Sequence, residues 1–498
     1  MIRLVSSTEM AAIDRTAQEQ YRIPGISLME CAALLSWQVI RRRTDGPVTF
    51  VVGKGNNGGD ALAVARHCRT AGTVCRVVCV VPEAKLSDLA RTQFEGVRGL
   101  DIPVTVWTED ESTARSWISG APVIVDGMLG TGLSGVARAP LSSVITAVND
   151  RDGVTIALDV PSGGGDAWRT DWPVIRADLT LTLGLPKRFL FSPNLRPHCG
   201  EIVHLPLTYP SEIMREADGA SYLISLGDLS ERLSPLPSQS YKRSRGSVAV
   251  LGGSVGMTGA PVLAARSALS CGAGLATVIC DAECYPVIAS HLVSALARPL
   301  GEIDREDLGR HNAVCIGPGW GTENREDLLR GIISQCSRGV LDADALNVLA
   351  AMDRPPALDG EWVLTPHVGE LARLLGSSTE DVLSQWETSA ISAAARYGAV
   401  VVAKSHVTVV ATPDGTTYVY DGMNPVLATG GSGDVLAGVV AALLCRVTPV
   451  DAAIGAVLLH GAAGESAKER GIVLAEELPA FIASRAAEQF GASGGLPA

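Results

Sequence analysis

The chain has no block of lysine or arginine: its 498 residues hold 41 basic against 53 acidic side chains, a formal net charge of −12. Nucleic acids and anionic membranes are captured first by concentrated positive charge, so neither partner is expected. Cysteine is present but unorganised, with eleven residues, an odd number, and no CxxC pair. That excludes a disulfide framework or a zinc site and leaves a reducing cytoplasm as the expected compartment. Long apolar runs are missing too. The opening MIRLVSSTEMAAID has no hydrophobic export region, and the apolar stretch Gly438 to Leu459 is broken by Arg446, Pro449 and Asp451, so no membrane span is expected.

With 47% hydrophobic and 19% charged residues the chain is too apolar for disorder. It is also too long for one core, given roughly 150 residues per domain. The first half alternates β-branched runs with helical patterns: PVTFVV (47 to 52), TVCRVVCVV (73 to 81), PVIV (122 to 125), VTIAL (154 to 158) and ADLTLTL (177 to 183). In ALAVARHC the residues Ala61, Leu62, Ala65 and Cys68 fall on one helical stripe. This alternation predicts a Rossmann-like parallel sheet covered on both faces. Around SPLPSQSYKRSRG the pattern dissolves, then resumes with SVAVL (247 to 251), AVCI (313 to 316), GVL (339 to 341), WVL (362 to 364) and AVVVA (399 to 403). A hairpin over 407 to 420 is expected to turn on Asp414-Gly415. Two α/β domains are expected, 1–215 and 216–498.

Ligands of parallel sheets sit at the carboxyl ends of the strands. There the first half places Gly53-Lys54-Gly55-Asn56-Asn57-Gly58-Gly59-Asp60, a strand-to-helix loop containing GxGxxG, and a second such loop, Gly130-Thr131-Gly132-Leu133-Ser134-Gly135. Such loops let backbone approach a pyrophosphate, whereas a single one can be no more than a tight turn. Asp126 ends PVIV, Asp159 ends VTIAL, and Ser162 follows in VPSG. One strand-end aspartate is often only a cap; Asn56, Asn57, Asp126, Asp159 and Ser162 on several strand ends are expected to converge on one crevice. An ordinary NAD dehydrogenase would use Glu83, near the end of the second strand, but Asn56, Asn57 and Asp60 add polar groups that such a fold does not need.

The segments GKGNNGGDALAVARH, VDGMLGTGLSG, LDVPSG and LTLGLPK resemble the epimerase domain of bifunctional NAD(P)H-hydrate repair enzymes, over about residues 1 to 210. The resemblance implies that Asn56, Asn57, Gly58, Gly59 and Asp60, with Gly130 through Gly135 and Val136, bind the hydrated dinucleotide. It implies that Asn57, Asp126 and Ser162 hold a potassium ion and that Asp159 contacts the substrate as acid/base. Leu129 stands where that family usually has Phe, and the stretch GGGDAWRTDW after Ser162 is unusual.

In the second half, Thr429-Gly430-Gly431-Ser432-Gly433-Asp434 runs into the apolar helix VVAALLC. A glycine-rich turn at a helix start offers unpaired N–H groups to an anion. A lone aspartate there would be read as a helix cap contributing about 1 kcal/mol. With glycines clearing space before it, Asp434 reads as a base for phosphoryl transfer, with Gly430 to Gly433 as the charge-stabilising donors. The pattern looks like the ribokinase-type superfamily. With LGGSVGMTGAPVLAARSAL, IGPGWGT, LDADALNVLA and LTPHVGEL, residues 215 to 490 resemble the ADP/ATP-dependent NAD(P)H-hydrate dehydratase.

That resemblance implies a ribokinase-like α/β domain in which Ala260, Gly317, Gly319, Gly321, His367 and Asp434 face the hydrate. Lys404, Ser405, His406, Val407 and Thr408, with Gly430, Gly431, Ser432 and Gly433, would hold ADP or ATP, with Mg2+. Ser405 replaces the family's usual Gly, and a histidine such as His367 after a strand is often only a turn residue. His204 is expected as an ordinary sheet residue rather than part of a metal cluster with His198 and Cys199. The small molecules so implied, and a homo-oligomer, are the expected partners. A sugar or hydroxymethylpyrimidine kinase fused to a dinucleotide module, or a binding protein with a dead catalytic half, would share single motifs but not the whole set.

Overall fold

A computed structural model describes residues 1–214, 220–302, 305–471 and 474–490. The chain divides into two compact units, Ile2–Ala217 and Asp218–Ala498 with Met1. The expected boundary at 215/216 lies outside the described residues.

The first unit is built on β1 (Val48–Val52), β2 (Cys75–Cys79), β3 (Val104–Val106), β4 (Val123–Gly127), β5 (Val154–Leu158), β6 (Leu179–Leu183) and β7 (Glu201–Leu205). These form a seven-stranded sheet in the order β3-β2-β1-β4-β5-β6-β7, with every pairing parallel. Strand β1 is buried at all five positions. Its side chains alternate between two cores: Phe50 and Val52 enter one apolar cluster and Val51 the other, as do Val77 and Val78 of β2. That alternation is the period of two expected of a sheet covered on both faces. Helix Asn56–Thr70 buries Ala61, Leu62, Ala65 and Cys68 as expected, and Ala63 and Val64 besides. The stripe is widened because the helix packs against helices Gly25–Ile40 and Asp88–Gly99 as well as against the sheet.

Chain order reverses between β1 and β4, so the loops after these strands splay and open a crevice. They also touch closely: a Cβ on Gly53 would lie 1.7 Å from the Met128 carbonyl oxygen.

The second unit contributes β8 (Ser221–Leu223), β9 (Ser247–Leu251), β10 (Leu275–Cys280), β11 (Leu296–Pro299), β12 (Ala313–Ile316), β13 (Gly339–Leu341), β14 (Trp362–Leu364), β15 (Val400–Ala403), β16 (Val407–Ala411) and β17 (Thr417–Asp421). They run in the order β8-β17-β16-β15-β14-β13-β12-β9-β10-β11. From β15 to β11 all neighbours are parallel; β15/β16 and β16/β17 are antiparallel. The β16–β17 hairpin turns through Gly415 at φ +89°, as the sequence predicts. Here the reversal falls between β9 and β12, and the loops after them interlock, Gly253 N–H donating to the Pro318 and Gly319 carbonyls (3.1 and 2.9 Å).

Helix Ser432–Leu444 is apolar nearly all round because it is covered on both sides, by β12 and β13 and by helix Gly259–Ser270. The helices cross at Gly438, where a Cβ would lie 2.1 Å from the Ala264 carbonyl oxygen and 2.2 Å from Ser267 Oγ. Gly438→Ala is therefore expected to push the helices apart and destabilise this unit by about 1–3 kcal/mol. Urea denaturation followed by circular dichroism checks this; an unshifted midpoint would mean the crossing has slack.

Candidate active sites

At the crevice of the first unit lies a cavity of about 450 Å³. Asn56, Asn57, Asp60, Gly130, Thr131, Gly132, Leu133 and Asp159 line it, so the two glycine loops and the β5 strand end do converge. Ser134, Gly135 and Val136 do not line it, and Gly58 and Gly59 are buried beneath. A Cβ on Gly58 would lie 2.2 Å from the Gly53 carbonyl oxygen, so this glycine serves close packing.

Asp159 stands one residue past β5 at φ +63°, with the Val160 N–H donating back to the Leu158 carbonyl (2.7 Å). A non-glycine residue held there is strained, and such strain persists only where its surroundings over-determine it. Its Oδ1 accepts from the Leu183 N–H (3.2 Å) and is ion-paired with Lys187, whose fully buried ammonium also donates to the Leu183 carbonyl (2.7 Å). Asp14, which accepts from the Tyr209 hydroxyl, shares the cavity. Burial pushes the Asp14 carboxyl up, and burial, then the charges of Asp159 and Asp14, push Asp60 well above the usual range. The cavity thus pairs an ion-paired carboxylate with two carboxyls that resist ionisation.

Beneath it, Asp126 is the fourth residue of β4 and is fully buried. Its oxygens accept from Ser162 Oγ (2.6 Å), Ser162 N–H (2.9 Å) and Met128 N–H (3.1 Å). Burial raises its carboxyl to about 6 against the help of Ser162. Asn57 donates to the Leu129 and Leu158 carbonyls (2.9 and 3.1 Å), while its buried Oδ1 has no partner.

The second site sits where β9, β12, β13, β14 and β15 end. Gly319 packs on Ala260, a Cβ there lying 3.3 Å from the Ala260 Cβ, and Gly321 N–H donates to Asp344 Oδ2 (2.8 Å). Lys404 follows β15 and pairs in register with His367 after β14. Its ammonium bonds Asp342 Oδ1 (2.8 Å), the oxygen that also accepts from Thr365 Oγ1 (2.7 Å). Gly431 caps helix Ser432–Leu444 at φ +94°, and Ser432 Oγ contacts His460 Nε2 (3.2 Å). Burial holds His460 down at about 4, so this ring is neutral. Asp434 makes no side-chain cap and has no side-chain partner among the described residues. Burial, then the charge of Asp342, push its carboxyl up to about 7, with Lys404 opposing.

A family model described as NAD(P)H-hydrate dehydratase matches residues 248–484, and one described as YjeF-related protein N-terminus matches 25–189. A bifunctional NAD(P)H-hydrate repair enzyme from Moorella thermoacetica is 34% identical over 494 residues, covering 94% of this chain and 93% of the relative. The chain belongs to the bifunctional NAD(P)H-hydrate repair enzyme family. Another member, from Salinibacter ruber, is 32% identical, with 98% of this chain and 97% of the relative covered. A solved ribokinase-like superfamily protein from Enterococcus faecalis V583 is 26% identical with a TM-score of 0.51, covering 55% of this chain and 98% of that one. The second unit has that ribokinase-like fold, as expected, beside a Rossmann-like first unit.

Within this family setting several expected residues take structural duties. His367 is the N-cap of helix Val368–Leu375: its Nδ1 accepts from the Gly369 N–H (3.0 Å) and Glu370 returns the box. Ser405 is not at positive φ, so its side chain is tolerated, and its carbonyl accepts from Thr408 Oγ1 (3.1 Å). His204 lies in β7 with its ring on the Gly184 carbonyl, as expected of a sheet residue. Glu83 is taken by Arg98 (2.7 Å). Sequence reasoning did not single out Lys187, Asp14 and Tyr209, or Asp342, Thr365 and Glu370. Asp342 carried the same signal as Asp159, an aspartate directly after a buried strand; Lys187 was marked by its place in the apolar LGLPKRFLF.

Removing Lys187 would leave Asp159 uncompensated beside two further carboxyls. Lys187→Met is expected to cost about 3–5 kcal/mol of stability, the usual penalty for halving a buried pair. A urea titration of the full chain checks it, and an unmoved midpoint would show that solvent already screens the pair.

Proposed function

We propose that the chain repairs hydrated NADH and NADPH in two steps, one in each unit: residues 1–215 exchange the R and S forms at C6, and 216–498 dehydrate the S form with ADP or ATP. In the hydrate, C6 carries a hydroxyl and the ring nitrogen. Exchanging its configuration requires one of those bonds to break and re-form on the other face, with a proton moved at the oxygen. Asp159 is assigned that proton, with Lys187 holding its carboxylate and the two glycine loops receiving the pyrophosphate.

The residues assigned to potassium suit a small cation. Asn57 Oδ1 is buried without a partner, and Asp126 is buried without a cationic neighbour among the described residues. When bound, the ion would supply fixed positive charge beneath the glycine loops; Asn57, Asp126 and Ser162 would hold it.

For dehydration, Asp434 takes the 6-hydroxyl proton as that oxygen forms a bond to the terminal phosphorus and the bridging P–O pair leaves with ADP or AMP. The ring nitrogen then expels phosphate from C6, and loss of a C5 proton restores the C5–C6 double bond. Hydroxide is a poor leaving group and phosphate a good one, which is why a nucleotide is needed. Among the described residues no three His, Cys, Asp or Glu side chains gather as a metal site, so Mg2+ is expected to arrive on the nucleotide phosphates. Lys404 to Thr408 and Gly430 to Gly433 are assigned to the nucleotide; Ala260, Gly317, Gly319, Gly321 and His367 to the hydrate.

The partnerless Asp434 carboxyl beside the glycine-turned helix start carries this reading. Its eleven unpaired thiols suit the cytoplasm, and exposed Val293 and Leu296 at the β11 edge favour a homo-oligomer. The decisive experiment mixes the protein with both hydrate epimers, Mg2+ and ADP or ATP. Recovered NADH absorbance with free phosphate supports repair, whereas a stable phosphorylated product would mean a small-molecule kinase.

Asp434→Asn is expected to lower dehydration on the order of 10²-fold or more while epimer exchange continues. Because a base must be ionised and this carboxyl is raised to about 7, the parent's dehydration rate should climb with pH through that value and then level. A rate flat from pH 5 to 8 would remove Asp434 as the base.

Asp126→Ala should abolish potassium dependence of epimer exchange and any thermal stabilisation by KCl over tetramethylammonium chloride. Equal behaviour of the parent in both salts would remove the ion.

A further inference from the structure

We propose that the Lys404 ammonium is the cation that neutralises the migrating phosphoryl group, and that Asp342 and Thr365 are positioning residues aiming it at the start of helix Ser432–Leu444. The proposal rests on the dehydratase reading and assigns Lys404 to the phosphate end of the nucleotide.

Geometry places it there. Lys404 Nζ lies 3.1 Å from where a Cβ on Gly433 would stand, so the charge sits against the first turn of the helix, where unpaired N–H groups point. The ammonium is largely buried, its side chain 19% exposed, and has three donors. One is committed, to Asp342 Oδ1 at 2.8 Å; the other two have no partner among the described residues. Unused donors on a buried cation are costly unless something anionic takes them.

The same corner explains why a cation is required. Asp434 feels the charges of Asp342, Asp344 and Glu370 as well as that of Lys404, and burial, then Lys404, lowers the His367 ring from its usual range. Phosphoryl oxygens arriving near Asp342 and Asp434 would be repelled without a charge that stays on. Burial works against the ammonium, but Asp342 and Glu370 more than offset it, so Lys404 remains protonated. Asp342 is buried, and the Oδ1 that takes the ammonium also accepts from Thr365 Oγ1, which holds the carboxylate in place. During transfer the electron pair of the breaking P–O bond moves to the nucleotide's bridging oxygen and the 6-hydroxyl proton goes to Asp434. Lys404 exchanges no proton and forms no bond; it lowers the energy of charge spread over the phosphoryl oxygens. A planar guanidinium keeps the charge, and an alkyl chain does not.

The test uses full-length Lys404→Met and Lys404→Arg, with the epimerase rate of each as a control for intact protein. Lys404→Met is expected to lower the kcat of dehydration by about 10²–10³-fold, the loss seen when one preorganised charge-stabilising donor is removed. The acidic limb of its pH profile should move to higher pH, because Asp434 loses the cation favouring its ionised form. Lys404→Arg should recover most of the rate and leave the limb in place. By calorimetry, Lys404→Met should weaken ADP by about tenfold or more while leaving adenosine unchanged. That contrast stands even if the parent fails to dehydrate the hydrate, so the two readings fail separately. An unchanged kcat, equal weakening of ADP and adenosine, or no advantage of Arg over Met would each overturn the proposal. If Lys404→Met does not fold, Lys404→Met with Asp342→Asn leaves no lone buried charge, and the kcat and ADP-to-adenosine criteria apply unchanged.

Discussion

A carboxylate at the end of a buried parallel strand has lost its water before it has gained a partner, and both sites are organised around that debt. Asp126, Asp159 and Asp342 each occupy such a position, and each is settled differently. Asp159 has a lysine, Asp342 a lysine and a threonine hydroxyl, and Asp126 only a serine and backbone N–H groups. Where the settlement is complete, the group can be held ready for proton or charge work. Where it falls short, as at Asp126, the deficit describes the ligand that belongs there.

The two units meet this constraint with the same topology. In each, chain order reverses between two central strands, and the loops leaving those strands press together through glycines whose missing Cβ atoms allow backbone contact, Gly53 on Met128 and Gly252 on Pro318. Such contact leaves no room for a flexible side chain and fixes the polar groups next to it. The main chain that carries Asp159 and Asp434 is thereby fixed at a strand end and a helix start, which suits groups that must not drift by an ångström.

The central strands and the glycine loops were legible in the sequence because they are dictated by local chemistry: β-branched runs for burial on both faces, glycines for close approach. Strands Val104–Val106 and Leu296–Pro299 were not, since short edge strands exist only through their neighbours. Leu275–Cys280 is apolar but for Thr277 and carries no period to distinguish strand from helix. For the sites, residues inside recognisable loops were legible, as with Asn57, Asp159 and Asp434. Lys187, Asp14 and Tyr209 come from three distant parts of the chain, and only folding reveals that they share a cavity. His367, marked by its motif, also carries the N-cap of helix Val368–Leu375, a duty that the motif alone did not reveal.

Asp159 sits in a left-handed turn that glycine would occupy at less cost, since residues held in such conformations carry about 1–3 kcal/mol of strain. A chain chosen only for resistance to heat would replace it. The aspartate at that corner thus marks a place where durability has been surrendered for chemistry, and stabilising engineering of this enzyme meets its limit there.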